Sequence, residues 1–495
     1  MTRAQSLYST WGVALVVGLA AWTLWNVAAL GLLSQKDMLV ACTALLLFYL
    51  AVETYRLRQL APQRWLVNPV VLCSLVTFVV GFGITNALYF LPEDVLLSLY
   101  LRPDVTPWMN KLMLLVIVGA IAMWLGYWSR PAAALSAWLQ RRQWLARILR
   151  RDFHVRSGVL GILIFSSLAC RLIEISLGVY GYSADYDRLI ELAAVRQYLN
   201  YGDGLGRLAL VIAALQYYSP SSTPSAKAWF AVVLAYEIFF GFLSGFKNEV
   251  AMPFVVVGLC KYLRQGAVPW RWITLFVLAF VAAYVVIEPF RAARFGDSSF
   301  KGTSVTNIAD TMLAAVESNG ANPVNTDDVG IGLQFLNRTS MTYIASLGIE
   351  FADTRSLPAG SPAFLQDILF APLYALVPRV LWKSKETTRH GLWYWNEVMG
   401  LDSPDVKTAV GMSPFTYLYF AGGGIAVAIG FFALGILQRA WAERLLATAS
   451  AGAIIVFFLS LRVMVSIDNV YYAIIVDLMR LVPAALLLQY AIFRR

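Results

Sequence analysis

Apolar runs recur along most of the chain at lengths close to the roughly 20 residues that cross a bilayer as a helix. They lie near 11–33, 38–54, 70–91, 111–128, 158–178, 205–218, 228–243, 250–263, 273–288, 413–437, 447–466 and 470–492. The pattern predicts an all-α polytopic membrane protein with about twelve transmembrane helices, the sixth and eighth being short. One long region, 289–412, does not span. Within it, residues 335–351 place Phe335, Leu336, Tyr343, Ile344, Leu347 and Phe351 at roughly helical spacing, and 364–377 is apolar among Pro362, Pro372 and Pro378. Both read as amphipathic helices that hug or re-enter the membrane. Gly320, Asn322, Pro323, Asp327 and Asp328 mark a polar loop between elements of this region. The expected division is an N-terminal bundle of about nine spans over 1–288, the loop region 289–412, and about three further spans over 413–495. Residues 129–157 are rich in arginine around Leu135, Trp138, Leu145, Ile148 and Leu149, as in a helix lying on anionic headgroups.

Composition agrees with the pattern. Of 495 residues, 59% are hydrophobic and 14% charged, against about 25% charged in soluble domains; mean hydropathy is +0.65. The net charge of +10 would suit nucleic acid, but its placement argues for topology instead. Arg56, Arg58, Arg64, Arg130, Arg141, Arg142, Arg147, Arg150, Arg151, Arg156, Lys227, Lys261, Arg264, Arg271, Arg439 and Arg444 fall in one alternate set of loops. The other short loops hold few cations and the acids Glu93, Asp94, Asp104, Asp185, Asp187, Glu191 and Asp203. By the positive-inside rule both termini are cytoplasmic and 289–412 is outside. No cleaved signal peptide is expected. The 4 cysteines fall in or beside spans, and the 2 histidines, His154 and His390, are too few for a multi-histidine metal site.

An excess of cations on the outer side needs a reason. Arg291 and Arg294 follow Pro289; Arg338 lies on the amphipathic stretch; Arg379, Lys383, Lys385 and Arg389 cluster beyond it; Lys247 sits in the turn Ser244-Gly245-Phe246-Lys247. Arginine grips phosphate bidentately and lysine adds a compact charge, although such residues also snorkel to lipid phosphates. His390 is the histidine of the outer region, and imidazole suits proton traffic near neutrality; Glu249 and Glu288, at span mouths, are the alternative bases. Arg171 with Glu174, and Asp477 with Arg480, are spaced to neutralise each other on one helix face, while Glu237 has no local partner. Asp185 and Asp187 read as a solvated pair rather than a Mg²⁺ site. Trp382, Trp393, Tyr394 and Trp395 read as an interface belt, with stacking on sugars as the alternative.

Several of these stretches resemble O-antigen and exopolysaccharide repeat-unit polymerases of the Wzy type. They are Ser244–Lys247, Ile287-Glu288-Pro289-Phe290-Arg291, Val377-Pro378-Arg379-Val380-Leu381-Trp382-Lys383-Ser384-Lys385, and Tyr417-Leu418-Tyr419-Phe420-Ala421-Gly422. The chain departs from the family in having Lys247 where arginine is common and Thr416 where an acid is common. The resemblance implies a metal-independent, cofactor-free glycosyltransferase of the bacterial inner membrane. It would transfer a growing glycan from undecaprenyl diphosphate to a sugar hydroxyl of another undecaprenyl-diphosphate-linked repeat unit. Arg379, Arg338, Arg291, Arg294, Lys383, Lys385, Lys247 and Arg389 would hold the diphosphate, and His390, Glu249 or Glu288 would act as base. The partners implied are the lipid-linked oligosaccharides, the bilayer, a chain-length regulator and a flippase, with no nucleic acid. Two alternatives stay open. O-antigen ligases resemble this family, but here His390 is followed by Gly391, and Ser403 replaces the second glycine expected after Gly400. A lipid-linked oligosaccharide flippase would use the buried charges.

Overall fold

The computed structural model describes residues 3–493 except 63, 100, 143–146, 150–154, 156–157, 185, 297–302, 322–332, 334–335, 338, 359, 378–381, 383–389, 401–409, 447–449 and 466–469. It also leaves undescribed the side chains of 3–9, 186–187, 190, 193–194, 197, 292–296, 318–321 and 462. The main helices in chain order are α1 (Arg3–Ala29), α2 (Gln35–Leu60), α3 (Pro69–Phe90, with π and 3₁₀ turns), α4 (Thr106–Trp128), α5 (Arg130–Arg141), α6 (Val159–Ser176), α7 (Ala193–Tyr217), α8 (Pro224–Leu243) and α9 (Lys247–Gln265). They continue with α10 (Trp270–Gly296), α11 (Val305–Ala321), α12 (Met341–Thr354), α13 (Phe364–Leu376), α14 (His390–Trp393), α15 (Ser413–Trp441), α16 (Ala451–Val465) and α17 (Tyr471–Ile492).

Among the described residues, 9 helical segments are long and apolar enough to cross a membrane. The protein is a helical, multi-pass membrane protein. The three other apolar runs also fold as helices, α7, α9 and α16. However, α7 carries Arg196, Asp203 and Arg207, α9 carries Lys247, Glu249, Lys261 and Arg264, and α16 has only 15 residues. Helix starts follow local chemistry. Asn68, Ser129 and Thr223 each precede a first turn bearing proline, and each side chain accepts from a backbone N–H of that turn.

Packing groups the chain into two compact units, one made of 1–149 with 329–488 and the other of 150–328 with 489–495. In the first unit α4 and α15 lie against each other at glycines. A Cβ on Gly126 would meet the backbone of Phe432, and one on Gly435 would meet the backbone of Met123. Small residues of this kind let membrane helices approach closely.

The span expected at 413–437 is not one continuous helix. Gly422 and Gly423 leave the helical region inside α15, and the Phe415 and Phe431 rings stack at 4.3 Å. A continuous helix would hold residues 16 apart at about 24 Å. The chain therefore doubles back, giving a short arm, 413–421, and a long arm, 424–441. A Cβ on Gly119 of α4 would meet Phe415 of the short arm and Phe431 of the long arm. Lys111 Nζ, about 12 Å nearer the start of α4, lies 5.3 Å from the Tyr419 ring. The short arm thus runs toward the start of α4 and the long arm away from it. Gly423, at φ 64° and ψ −155°, occupies a region essentially reserved for glycine.

Candidate functional site

Each unit gathers residues singled out from the sequence. In the second unit, two stretches meet at one end of the helices, Lys247 and Glu288 lying 41 residues apart. Lys247, at the start of α9, pairs with Glu288 of α10, and its Nζ sits 3.2 Å from the centre of the Tyr284 ring. Arg291 Nε donates to the Gly245 carbonyl at 3.1 Å, and its guanidinium lies 4.4 Å from the centre of the Tyr182 ring. Glu249 pairs with Arg207 of α7. Lys247, Glu249, Glu288 and Arg291 are thus brought together, with both carboxylates committed to cations.

Behind this end lies a buried ionic cluster. Arg171 of α6 pairs with Asp203 of α7, and its Nη2 lies 2.9 Å from Glu237 Oε1 on α8. The helix-face pairing of Arg171 with Glu174 is corrected, because both partners of Arg171 come from neighbouring helices. Glu237, alone on its own helix, finds its cation there. Both carboxylates reach one fork because guanidinium presents several donors in a plane.

In the first unit, His390 opens α14 and Asp367 lies in the first turn of α13. Both are buried, and His390 Nε2 lies 2.8 Å from Asp367 Oδ2. The rings of Phe364, Tyr417 and Tyr472 surround the imidazole at 5.9, 5.2 and 5.5 Å. Tyr417 belongs to the short arm, and its hydroxyl donates to the Phe364 carbonyl at 3.3 Å. The arm is tied down further by Thr416 Oγ1, which donates to the Ala345 carbonyl, and by Tyr419 Oη, which donates to Asp353 at 2.7 Å. Arg480 of α17 donates from Nη2 at 3.1 Å to the Tyr374 carbonyl at the end of α13. A cation on those last carbonyls suits the helix dipole.

Asp367 was not singled out from the sequence. Its signal was there, as the one charged residue of the run Phe364–Leu376. The expected aromatic belt is also corrected in part. Tyr394 is fully buried and donates to the Ile344 carbonyl, and Trp393 packs on Phe364 and Phe420 at 5.5 Å each. Trp382 stacks on Tyr374 at 5.5 Å. Arg379, Arg338, Lys383, Lys385 and Arg389, and the side chains of Arg294, Asp187 and the acid at 185, lie outside the described residues. Among the described residues no cluster of three or more metal-ligating side chains occurs.

The family model described as "Domain of unknown function (DUF8712)" matches residues 167–483, more than half of the chain. The chain belongs to the DUF8712 family. The matched range begins in α6 and ends in α17, so it takes in both the Arg171 cluster and the His390–Asp367 pair. No curated protein and no solved structure matches this DUF8712 chain.

Proposed function

We propose that this DUF8712 protein polymerises lipid-linked oligosaccharide repeat units at the outer face of a bacterial inner membrane. The observation that carries the reading is the buried His390–Asp367 pair, which lies in the region between spans that the sequence assigns to the outer side. A histidine oriented by a carboxylate is a standard arrangement for a general base. With Nε2 held by Asp367, Nδ1 is the nitrogen that takes a proton. In the proposed step a sugar hydroxyl of the acceptor attacks the anomeric carbon of the donor glycan. The bond from that carbon to undecaprenyl diphosphate breaks, and the hydroxyl proton passes to His390. The leaving diphosphate takes the electron pair and is stabilised by cations. Arg379 and its neighbours in the Pro378–Lys385 stretch, with Arg389, are the assigned cations. The reaction as read needs no metal or cofactor. The same reading has about twelve spans and cytoplasmic termini.

The test is glycan length in the native host. His390→Ala is expected to cut polymerisation by about a hundredfold or more, within the usual worth of a general base, leaving single repeat units attached. Asp367→Asn should cut it less and restore the protein level. Loss of all attached glycan, with lipid-linked chains accumulating, would mark a ligase instead. Unchanged banding in both variants would sink the assignment.

A second reading has one observation of its own. The Arg171–Asp203–Glu237 cluster places charge inside a membrane unit, as transport pathways do. Purified protein that extends a lipid-linked repeat unit without a partner would exclude a flippase.

A further inference from the structure

The second unit holds a partly open cavity of about 120 Å³ beside the Arg171 cluster. Its lining includes Arg171, Glu174, Arg196, Asn200, Asp203 and Glu249, with aromatic walls from Tyr180, Phe240 and Phe246. Arg171, Glu174 and Glu237 are each only 4% exposed. Four buried polar atoms there have no hydrogen-bond partner among the described residues: the donors Arg171 Nη1 and Arg196 Nε, and the acceptors Glu174 Oε1 and Glu237 Oε1, the last held only by its ion pair with Arg171. Orphaned buried polar groups each cost free energy until something satisfies them. Whatever fills this cavity must therefore both accept and donate.

The charges narrow the chemistry. Four carboxylates, Glu174, Asp203, Glu237 and Glu249, face two guanidiniums, Arg171 and Arg196, in the lining; Arg207 joins them by pairing with Glu249. Arg171 and Arg207 are already matched by Asp203, Glu237 and Glu249, so little positive charge is left over for a diphosphate. A cation would meet the two orphaned guanidinium donors. A hydroxyl group fits, because it donates and accepts at once. Aromatic faces beside planar polar side chains suit the edge and apolar face of a sugar ring. The volume equals that of about four waters, room for one edge of a ring, and the cavity is lined at the surface by the exposed Asn200.

We infer that this cavity is a binding subsite for a neutral, hydroxyl-bearing sugar edge of the glycan, and not for the diphosphate. The inference rests on the polymerase reading for its ligand class. Lys247 and Arg291, outside the cavity's lining, serve an ion pair with Glu288 and the Gly245 turn.

The test is binding, measured on the full chain in lipid nanodiscs by saturation-transfer NMR. The probes are methyl glycosides of the sugars in the host's surface polysaccharide. At least one should receive saturation in the wild type and in Lys227→Gln, a change at an exposed position in the first turn of α8. Glu174→Gln and Arg196→Gln should each bind it about tenfold more weakly, the loss of one charge-assisted hydrogen bond. Inorganic pyrophosphate should not displace it. The inference is overturned if no glycoside binds, which would leave water alone in the cavity, if all variants bind equally, or if pyrophosphate competes. Should Glu174→Gln fail to fold, Asn200→Ala carries the same comparison. Binding and glycan banding fail separately. Unchanged banding in the His390 and Asp367 variants removes the polymerase and leaves the sugar site to its own measurement, whereas absent binding with lost polymer does the reverse.

Discussion

Arg171 shows how much a single buried side chain can hold. Its side chain is 5% exposed and contacts carboxylates from two other helices. Removing one partner of such a group leaves uncompensated charge and costs about 3–5 kcal/mol. Arg171→Met should therefore lower the yield and melting temperature of the purified protein sharply. Adding Glu237→Gln and Asp203→Asn should recover much of the loss, and a melting curve unchanged in Arg171→Met would contradict the pairing. Residue identity was legible in the sequence here, but partnership was not. The spacing of Arg171 and Glu174 pointed to a pair on one helix, while the folded chain offered two closer carboxylates across helix boundaries. Asp367 and His390 are separated by 23 positions, and no local pattern joins such residues.

At the scale of elements, the sequence told where the apolar runs lie, because hydropathy acts locally, but not that α7 begins at Ala193, well ahead of the run at 205–218. It did not tell that α15 folds back. The apolar run continues through Gly422 and Gly423, so the pattern reads as one span. The turn has a sharp test. A Cβ on Gly423 would meet nothing within 4 Å, so Gly423→Val brings conformational strain and no clash, at about 1–3 kcal/mol. The expected outcome is loss of polymer with protein still present in the membrane, because Tyr417 would lose its place beside His390. Gly435→Val acts differently. Its side chain would run into the Met123 backbone, an overpacking cost of about 1–3 kcal/mol that should appear as reduced folded protein.

At the scale of the whole molecule, the positive-inside rule assigns a side to each loop from where arginine falls, and that assignment is a proposal. Labelling with a membrane-impermeant maleimide checks it. Gly360→Cys should react in intact cells, and Ser221→Cys only after permeabilisation; Gly360 and Ser221 are both exposed. The labelling is done with the half-buried Cys170 replaced by serine, since Cys42, Cys73 and Cys260 are buried. The reverse result would invert the topology and with it the outer placement of His390.

The reversal at Gly422–Gly423 also bears on how this architecture can diverge. An arm that turns back on itself adds no membrane crossing. Residues inserted or deleted between Tyr417 and Gly422 would slide Tyr417 along α4, and with it one of the rings around His390. The order of inside and outside segments would stay as it was. The position of Tyr417 beside His390 and the count of crossings are therefore separable properties, and relatives could vary the first while inheriting the second intact.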